Sequence, residues 1–164
     1  MVDITTLGAG GGSIATIVGD DSLRVGPQSA GASPGPAAYG KGGTQATVTD
    51  AHVVLGRIPE ATLGDGSITV DRDAARKAIA DNIADKLGVT PEEAALGILR
   101  LASENMARGI SLTSVARGRD PRRFTLFPFG GAEACTRAGV RRSCRPGRSS
   151  CRWPRVLPVP RACS

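Results

Sequence analysis

The 164 residues suffice for one domain with its own core, and 40% of them are apolar. Only 3% are aromatic, so that core must be built from Ala, Val, Ile and Leu, and no apolar run reaches the roughly 18 residues of a membrane span. The net charge of +6 invites a nucleic-acid reading, but the eight arginines between Gly131 and Ser164 face the single acid Glu133, and residues 1–130 carry −1 without them.

A nucleic-acid partner is therefore not expected for the body of the chain. No basic region followed by an apolar stretch opens the sequence, which predicts a cytoplasmic protein without membrane attachment. Cys135, Cys144, Cys151 and Cys163 all lie in the basic tail with no CxxC pair, and the only histidine, His52, is far upstream. That spacing predicts neither a zinc site nor a disulfide framework, and no metal ligands are assigned.

In chain order, Val2–Leu7 and Ser13–Val18 read as short strands joined by Gly8-Ala9-Gly10-Gly11-Gly12. Residues 26–45 read as a long glycine- and proline-rich loop, of the kind that is either functional or disordered. Ala46–Thr49 is expected as a brief strand, followed by a short helix through Ala51–Leu55 that Asp50 caps and Gly56 ends. Ala75, Ile79, Ile83 and Leu87 recur every four residues before Gly88, which predicts an amphipathic helix over 71–87. Thr90-Pro91-Glu92-Glu93 is a capping box with proline at the first helical position. The helix it opens places Leu96, Leu99, Ala102, Met106 and Ile110 on one stripe and is expected to run to about Val115. Arg117–Arg123 reads as a charged turn, and Phe124–Phe129 as an apolar strand entering Gly130-Gly131-Ala132. Beyond Ala132 no period survives, and 133–164 reads as a disordered Arg/Cys/Pro-rich tail.

Three glycine clusters could carry chemistry. Gly8–Ser13 lies between apparent strands, and glycine amides approach a phosphate closely because no Cβ intervenes. A tight hairpin with positive-φ positions needs glycine equally, and the spacing does not separate the two. No Gly-Lys-Ser/Thr follows, so the loop is not a Walker A motif. Gly130-Gly131-Ala132 stands where a strand hands over to a helix in nucleotide-binding folds, or at an ordinary strand-ending turn, which the spacing favours. Tyr39 and Lys41 lie on the long loop, where they could meet an anionic or amide substrate or simply face solvent. Asp3 and Asp50 are carboxylates beside strands, suited to Mg²⁺ or proton transfer, or to strand-edge and capping roles. His52 reads as a surface or packing histidine.

The order of these motifs resembles the hydantoinase A / 5-oxoprolinase family. The matching stretches are Val2-Asp3-Ile4, Gly8 to Ala15, Val25 to Ala32, Pro34 to Ala37, Tyr39-Gly40, Thr47 to Ala51 and Leu55 to Arg57. Gly97-Ile98, Asn105 to Ala107, Arg117-Gly118, Asp120 to Arg122 and Phe129 to Ala132 follow in order. The resemblance covers residues 2–132 and implies an α/β, actin/sugar-kinase-like ATPase fold within a much longer subunit. ATP, with Mg²⁺, would activate a cyclic amide such as a hydantoin or 5-oxoproline for ring opening; relatives carboxylate ketones. On this reading Gly10, Gly11, Gly12 and Ser13, together with Gly130, Gly131 and Ala132, bind the nucleotide, and Asp50 is the candidate catalytic carboxylate at the cleft. The sequence departs from the family at Thr5, where histidine is common, and at Ala38, where cysteine is common.

Residues 1–132 are accordingly expected to be the C-terminal part of such a domain. It would be inactive without the N-terminal half, which carries an Asp-Gly-Gly-Thr phosphate loop, and without a hydantoinase B-type subunit. A separately encoded N-terminal half, or a nucleic-acid module gripping through the basic tail, are the alternatives. The tail admits a specific reading. Shifted by two bases, Glu133 to Arg137 is compatible with Gly-Met-His-Ala, and Val159 to Ser164 with Ala-Pro-Gly-Val-Leu, both of which the family pattern calls for. Residues from about 133 onward are thus expected to be translated out of frame.

Overall fold

The computed structural model describes residues 6–63, 68–120 and 123 of the chain. It is a mixed α/β structure. β1 (Ser13–Val18) lies where the sequence placed it and pairs antiparallel with β2 (Ser22–Ser29). The reversal between them uses positive φ at Gly19 and Asp21, residue types that tolerate that region. Of the expected Val2–Leu7 strand, Thr6 and Leu7 carry no strand structure and the rest lies outside the described residues.

β2 corrects the expectation of a structureless 26–45. Ser13 pairs with Ser29 and Ala15 with Val25, so Gly26-Pro27-Gln28 bulge out opposite the single residue Ile14. Proline has no N–H to give a ladder, and a bulge is where a strand accommodates it. Ile14 turns instead to Thr47, and this one bridge is all that remains of the strand expected over Ala46–Thr49. The loop that follows contains a 3-10 turn at Ala37–Tyr39, and its two arms touch. A Cβ on Gly43 would collide with the Gly35 carbonyl oxygen.

α1 (Val48–Val54) is buried along its whole length, Thr49, Asp50 and His52 included. Seven residues rich in β-branched side chains cannot sustain a helix unaided, so packing and capping hold it. Its N-cap is Thr47 rather than Asp50. Thr47 and Asp50 form a reciprocal capping box, with Asp50 at the third helical position. After a small antiparallel pair, β3 (Thr62–Leu63) and β4 (Ile68–Thr69), Asp71 caps α2 (Arg72–Ile79).

α2 does not run evenly to Gly88. It passes through a π-helical turn, Ala80–Ala84, into α3 (Asp85–Leu87), and Gly88 ends it in the left-handed conformation. The sequence pattern explains the wide turn. Apolar residues spaced by four drift about 40° per step around a helix of 3.6 residues per turn, and one extra residue in a π turn takes up that drift. Ala75, Ile79 and Ile83 consequently stay on one buried face. Asn82, inside the π turn, donates from Nδ2 to the Ala78 carbonyl (2.8 Å) and to the Thr44 carbonyl (2.9 Å), tying the helix to the long loop.

α4 (Pro91–Val115) begins with the Thr90–Glu93 capping box and ends as expected. Its buried stripe is shifted from the predicted one: Ala94, Ala95, Ile98, Leu99, Ala102 and Ala107 face the core, while Leu96 is 40% exposed. In a chain with so few aromatics, alanine lets helices approach closely and takes core positions that a leucine-led pattern misses. α1 packs against both α2 and α4, and β2 lies on α4. There Asn105 Nδ2 donates to the Val25 carbonyl at 3.1 Å. Among the described residues no helix is long and apolar enough to cross a membrane. The expected strand Phe124–Phe129 lies outside the described residues.

Candidate functional site

The Gly8–Ser13 turn is fixed from the inside by its own carbonyls. Ser13 N–H donates to the Gly10 carbonyl (3.1 Å) and Gly10 N–H to Ser13 Oγ (2.9 Å), which closes the turn. The Gly11 carbonyl accepts from Thr49 N–H (2.8 Å) and Thr49 Oγ1 (3.0 Å), and the Gly12 carbonyl accepts from Ala30 N–H (2.9 Å). Three successive carbonyls are thereby engaged by the protein. The N–H groups of Gly11 and Gly12 find no acceptor among the described residues. Successive backbone N–H groups with their carbonyls held elsewhere make a concavity suited to an anion.

The glycines of this turn differ in what they are for. A Cβ on Gly12 would lie 2.8 Å from Ser29 Oγ, and one on Gly8 would press on Pro27 at 3.1 Å. Gly10 has no positive φ, and among the described residues a Cβ there would meet no atom within 4 Å, so neither its backbone conformation nor their packing requires glycine. Ser13, expected to face the cofactor, is buried and braces the turn from below.

Asp50 stands beside this turn through Thr49. Its Oδ1 accepts from Ala38 N–H (2.7 Å), and its Oδ2 accepts from Thr47 N–H (2.9 Å) and Thr47 Oγ1 (2.7 Å). Burial pushes its carboxyl above the usual carboxylate range, and the Thr47 and Ala38 hydrogen bonds pull it partly back. This is the geometry of an anchor that joins α1 to the 3-10 turn. Ala38 is clamped from its other side as well, since Asp71 N–H donates to its carbonyl at 2.8 Å. His52, two residues on, is fully buried. Its pKa is lowered to about 4 by that burial and by the nearby Arg57 charge. Of the two residues flagged on the loop, Tyr39 is half-buried against the core and Lys41 is exposed.

The structure thus brings Gly10, Gly11, Gly12, Ser13 and Asp50 into one neighbourhood around the start of α1. Gly130, Gly131, Ala132 and Asp3 lie outside the described residues. The profile of the hydantoinase/oxoprolinase family matches residues 1–144. The chain belongs to this family. It is 51% identical over 132 residues to the caprolactamase subunit alpha of Pseudomonas jessenii, covering 80% of this chain and 19% of that protein. It is 44% identical over 142 residues to the acetophenone carboxylase gamma subunit of Aromatoleum aromaticum, covering 86% and 19%. The crystal structure of the ATP-dependent caprolactamase from Pseudomonas jessenii superposes with a TM-score of 0.80 at 46% identity, over 88% of this chain and 21% of that one. The chain therefore spans about a fifth of the length of these relatives.

Within this family's motif block, three residues essential to the geometry escaped the reading of the sequence. Thr47 and Thr49 were hidden by an apparent strand, although Thr47-x-x-Asp50 is a capping-box signature. Ser29 was absorbed into a loop, and no sequence signal marks its position over Gly12.

Proposed function

We propose that the described residues form one wall of the nucleotide cleft of an ATP-dependent enzyme acting on a cyclic amide, within an actin/sugar-kinase-like fold. The observation that supports this best is Gly10, open to the outside beside the unengaged N–H groups of Gly11 and Gly12. These groups would hold phosphoryl oxygens, as backbone amides do in anion-binding nests. Bound ATP would supply the activation of the amide carbonyl. The residues of this chain position it: Ser13 and Thr49 lock the turn, and Asp50 sets the start of α1 against the 3-10 turn. Gly130, Gly131 and Ala132 are assigned the adenosine and phosphate side.

The described residues offer Mg²⁺ no ligand set: both Asp50 oxygens are engaged, and no three His, Cys, Asp or Glu side chains gather among them. An N-terminal half and a hydantoinase B-type subunit would complete the site. The substrate class is a cyclic amide such as a hydantoin, 5-oxoproline or a lactam. The 44% identity to a ketone carboxylase subunit favours ketone carboxylation as the second reading.

The test is substrate-dependent ATP hydrolysis by the chain assembled with those two partners, as wild type and as Gly10→Val. A Cβ at position 10 has no neighbour within 4 Å among the described residues, so the fold should stand while ATP hydrolysis falls by about tenfold or more through loss of amide–phosphate contacts. Undiminished hydrolysis by Gly10→Val overturns the assignment.

A further inference from the structure

The glycine turn offers an anion only backbone amides, and one side chain stands over it. Ser29 ends β2 opposite Ser13, and the next residue donates its N–H to the Gly12 carbonyl at 2.9 Å, so its Cα is fixed relative to the turn. Its Oγ lies 2.8 Å from where a Cβ on Gly12 would sit, directly over the turn. Gly31 N–H donates to that Oγ at 3.1 Å. A hydroxyl that accepts a hydrogen bond has its proton left to give, and no acceptor among the described residues takes it. The side chain is exposed. The contact is the local turn that serine makes with its own backbone two residues on, and it leaves the Oγ proton available to an anion over the glycine turn.

We infer that Ser29 is the side-chain ligand of the glycine-turn site, donating its Oγ proton to a phosphoryl oxygen that the Gly11 and Gly12 amides also hold. Gly12 then has a second purpose. With no Cβ it leaves room for the Ser29 hydroxyl, and any larger residue there displaces that hydroxyl. The Gly31 N–H fixes the rotamer and polarises the O–H toward the ligand. This inference rests on the nucleotide reading above and adds to it a side-chain hydrogen-bond donor for the phosphoryl group.

The two positions share one effect, which gives a test that a merely structural role would not pass. ATP and, separately, inorganic phosphate are titrated calorimetrically into the chain assembled with the N-terminal half and the hydantoinase B-type subunit, as wild type, Ser29→Ala, Gly12→Ala and the double variant. Thermal unfolding of each protein is recorded alongside. Loss of one hydrogen bond to a charged oxygen weakens ATP binding by about tenfold or more in Ser29→Ala. Gly12→Ala sets its Cβ 2.8 Å from the Ser29 Oγ position, turns that hydroxyl away and weakens binding similarly. The double variant is no worse than either single one, because both remove the same contact. Unfolding temperatures stay within a few degrees of wild type. Ser29→Ala binding ATP as wild type does, while Gly10→Val does not bind, overturns the role of Ser29 and leaves the site standing. Fully additive losses overturn the shared contact. Absence of ATP binding by the wild type overturns this inference together with the reading beneath it. Phosphate binding with the same Ser29 dependence shows that the turn recognises the phosphoryl group itself; ATP binding that depends on Ser29 without phosphate binding still supports the contact.

Discussion

Acidification acts on this fold through its single histidine. His52 is fully buried within α1, and its pKa is lowered from 6.5 to about 4, first by burial and then by the Arg57 charge. The unfolded chain binds the proton with the ordinary affinity, so between those two values protons favour unfolding. Stability is fully present above pH 6.5 and drains away as pH falls toward 4. A difference of about 2.5 units at 1.36 kcal/mol each corresponds to about 3 kcal/mol, a large share of the 5–15 kcal/mol that domains typically possess. The assay is urea unfolding between pH 7 and pH 4. It is paired with proton NMR of the imidazole, whose resonances are unambiguous in a chain with one histidine. The midpoint should fall steadily below pH 6.5, and His52→Gln or His52→Leu should flatten that slope even if either variant is less stable at pH 7. An imidazole that titrates near 6.5 while the chain stays folded refutes the reasoning.

Other consequences follow from the same geometry. Asp50→Ala strands the buried N–H groups of Ala38 and Thr47. At about 1–3 kcal/mol for each unsatisfied donor, it should cost about 3 kcal/mol or more in denaturant unfolding, and a cost below about 1 kcal/mol contradicts the anchor role. Because burial raises the Asp50 carboxyl, its ionisation opposes folding as pH rises through the folded value. Asp50→Asn should remove that component from the pH–stability curve just above pH 3.8. Ile98→Ala empties a fully buried core position on α4 and should cost about 2–5 kcal/mol, against about 1 kcal/mol for Thr90→Ala, which removes an exposed cap. Sequencing the gene checks the tail, where restoring one frame shift near codon 133 should yield Gly-Met-His-Ala.

The elements most legible in the sequence were those stated redundantly. The Thr90 box, Pro91, an apolar stripe and the stop near Val115 all specify α4, and Gly88 marks the end of the preceding helix. β2 was not legible because Gly26-Pro27 reads as a turn. Only the bulge opposite Ile14 lets a strand pass through it, and no local pattern announces a bulge set by its partner strand. The start of α1 was misplaced for a related reason. Its β-branched residues read as strand, and burial on every side overrides that propensity. For the site, the glycine turn was visible as a cluster of residue types, but its two meanings could not be separated. That distinction depends on which carbonyls are engaged, on the empty space around Gly10, and on Ser29 arriving from another strand. The shift of the α4 stripe toward alanines likewise depends on how closely α1 approaches.

The central claim is that the Gly10–Ser13 turn receives a nucleotide phosphate. It is tested most directly by amide NMR of the chain, isotope-labelled and assembled with the two proposed partners, titrated with ATP. The account predicts that the Gly11 and Gly12 resonances move downfield and saturate with ATP, while those of α4 hold still. Gly11 and Gly12 amides unmoved at saturating ATP would contradict it.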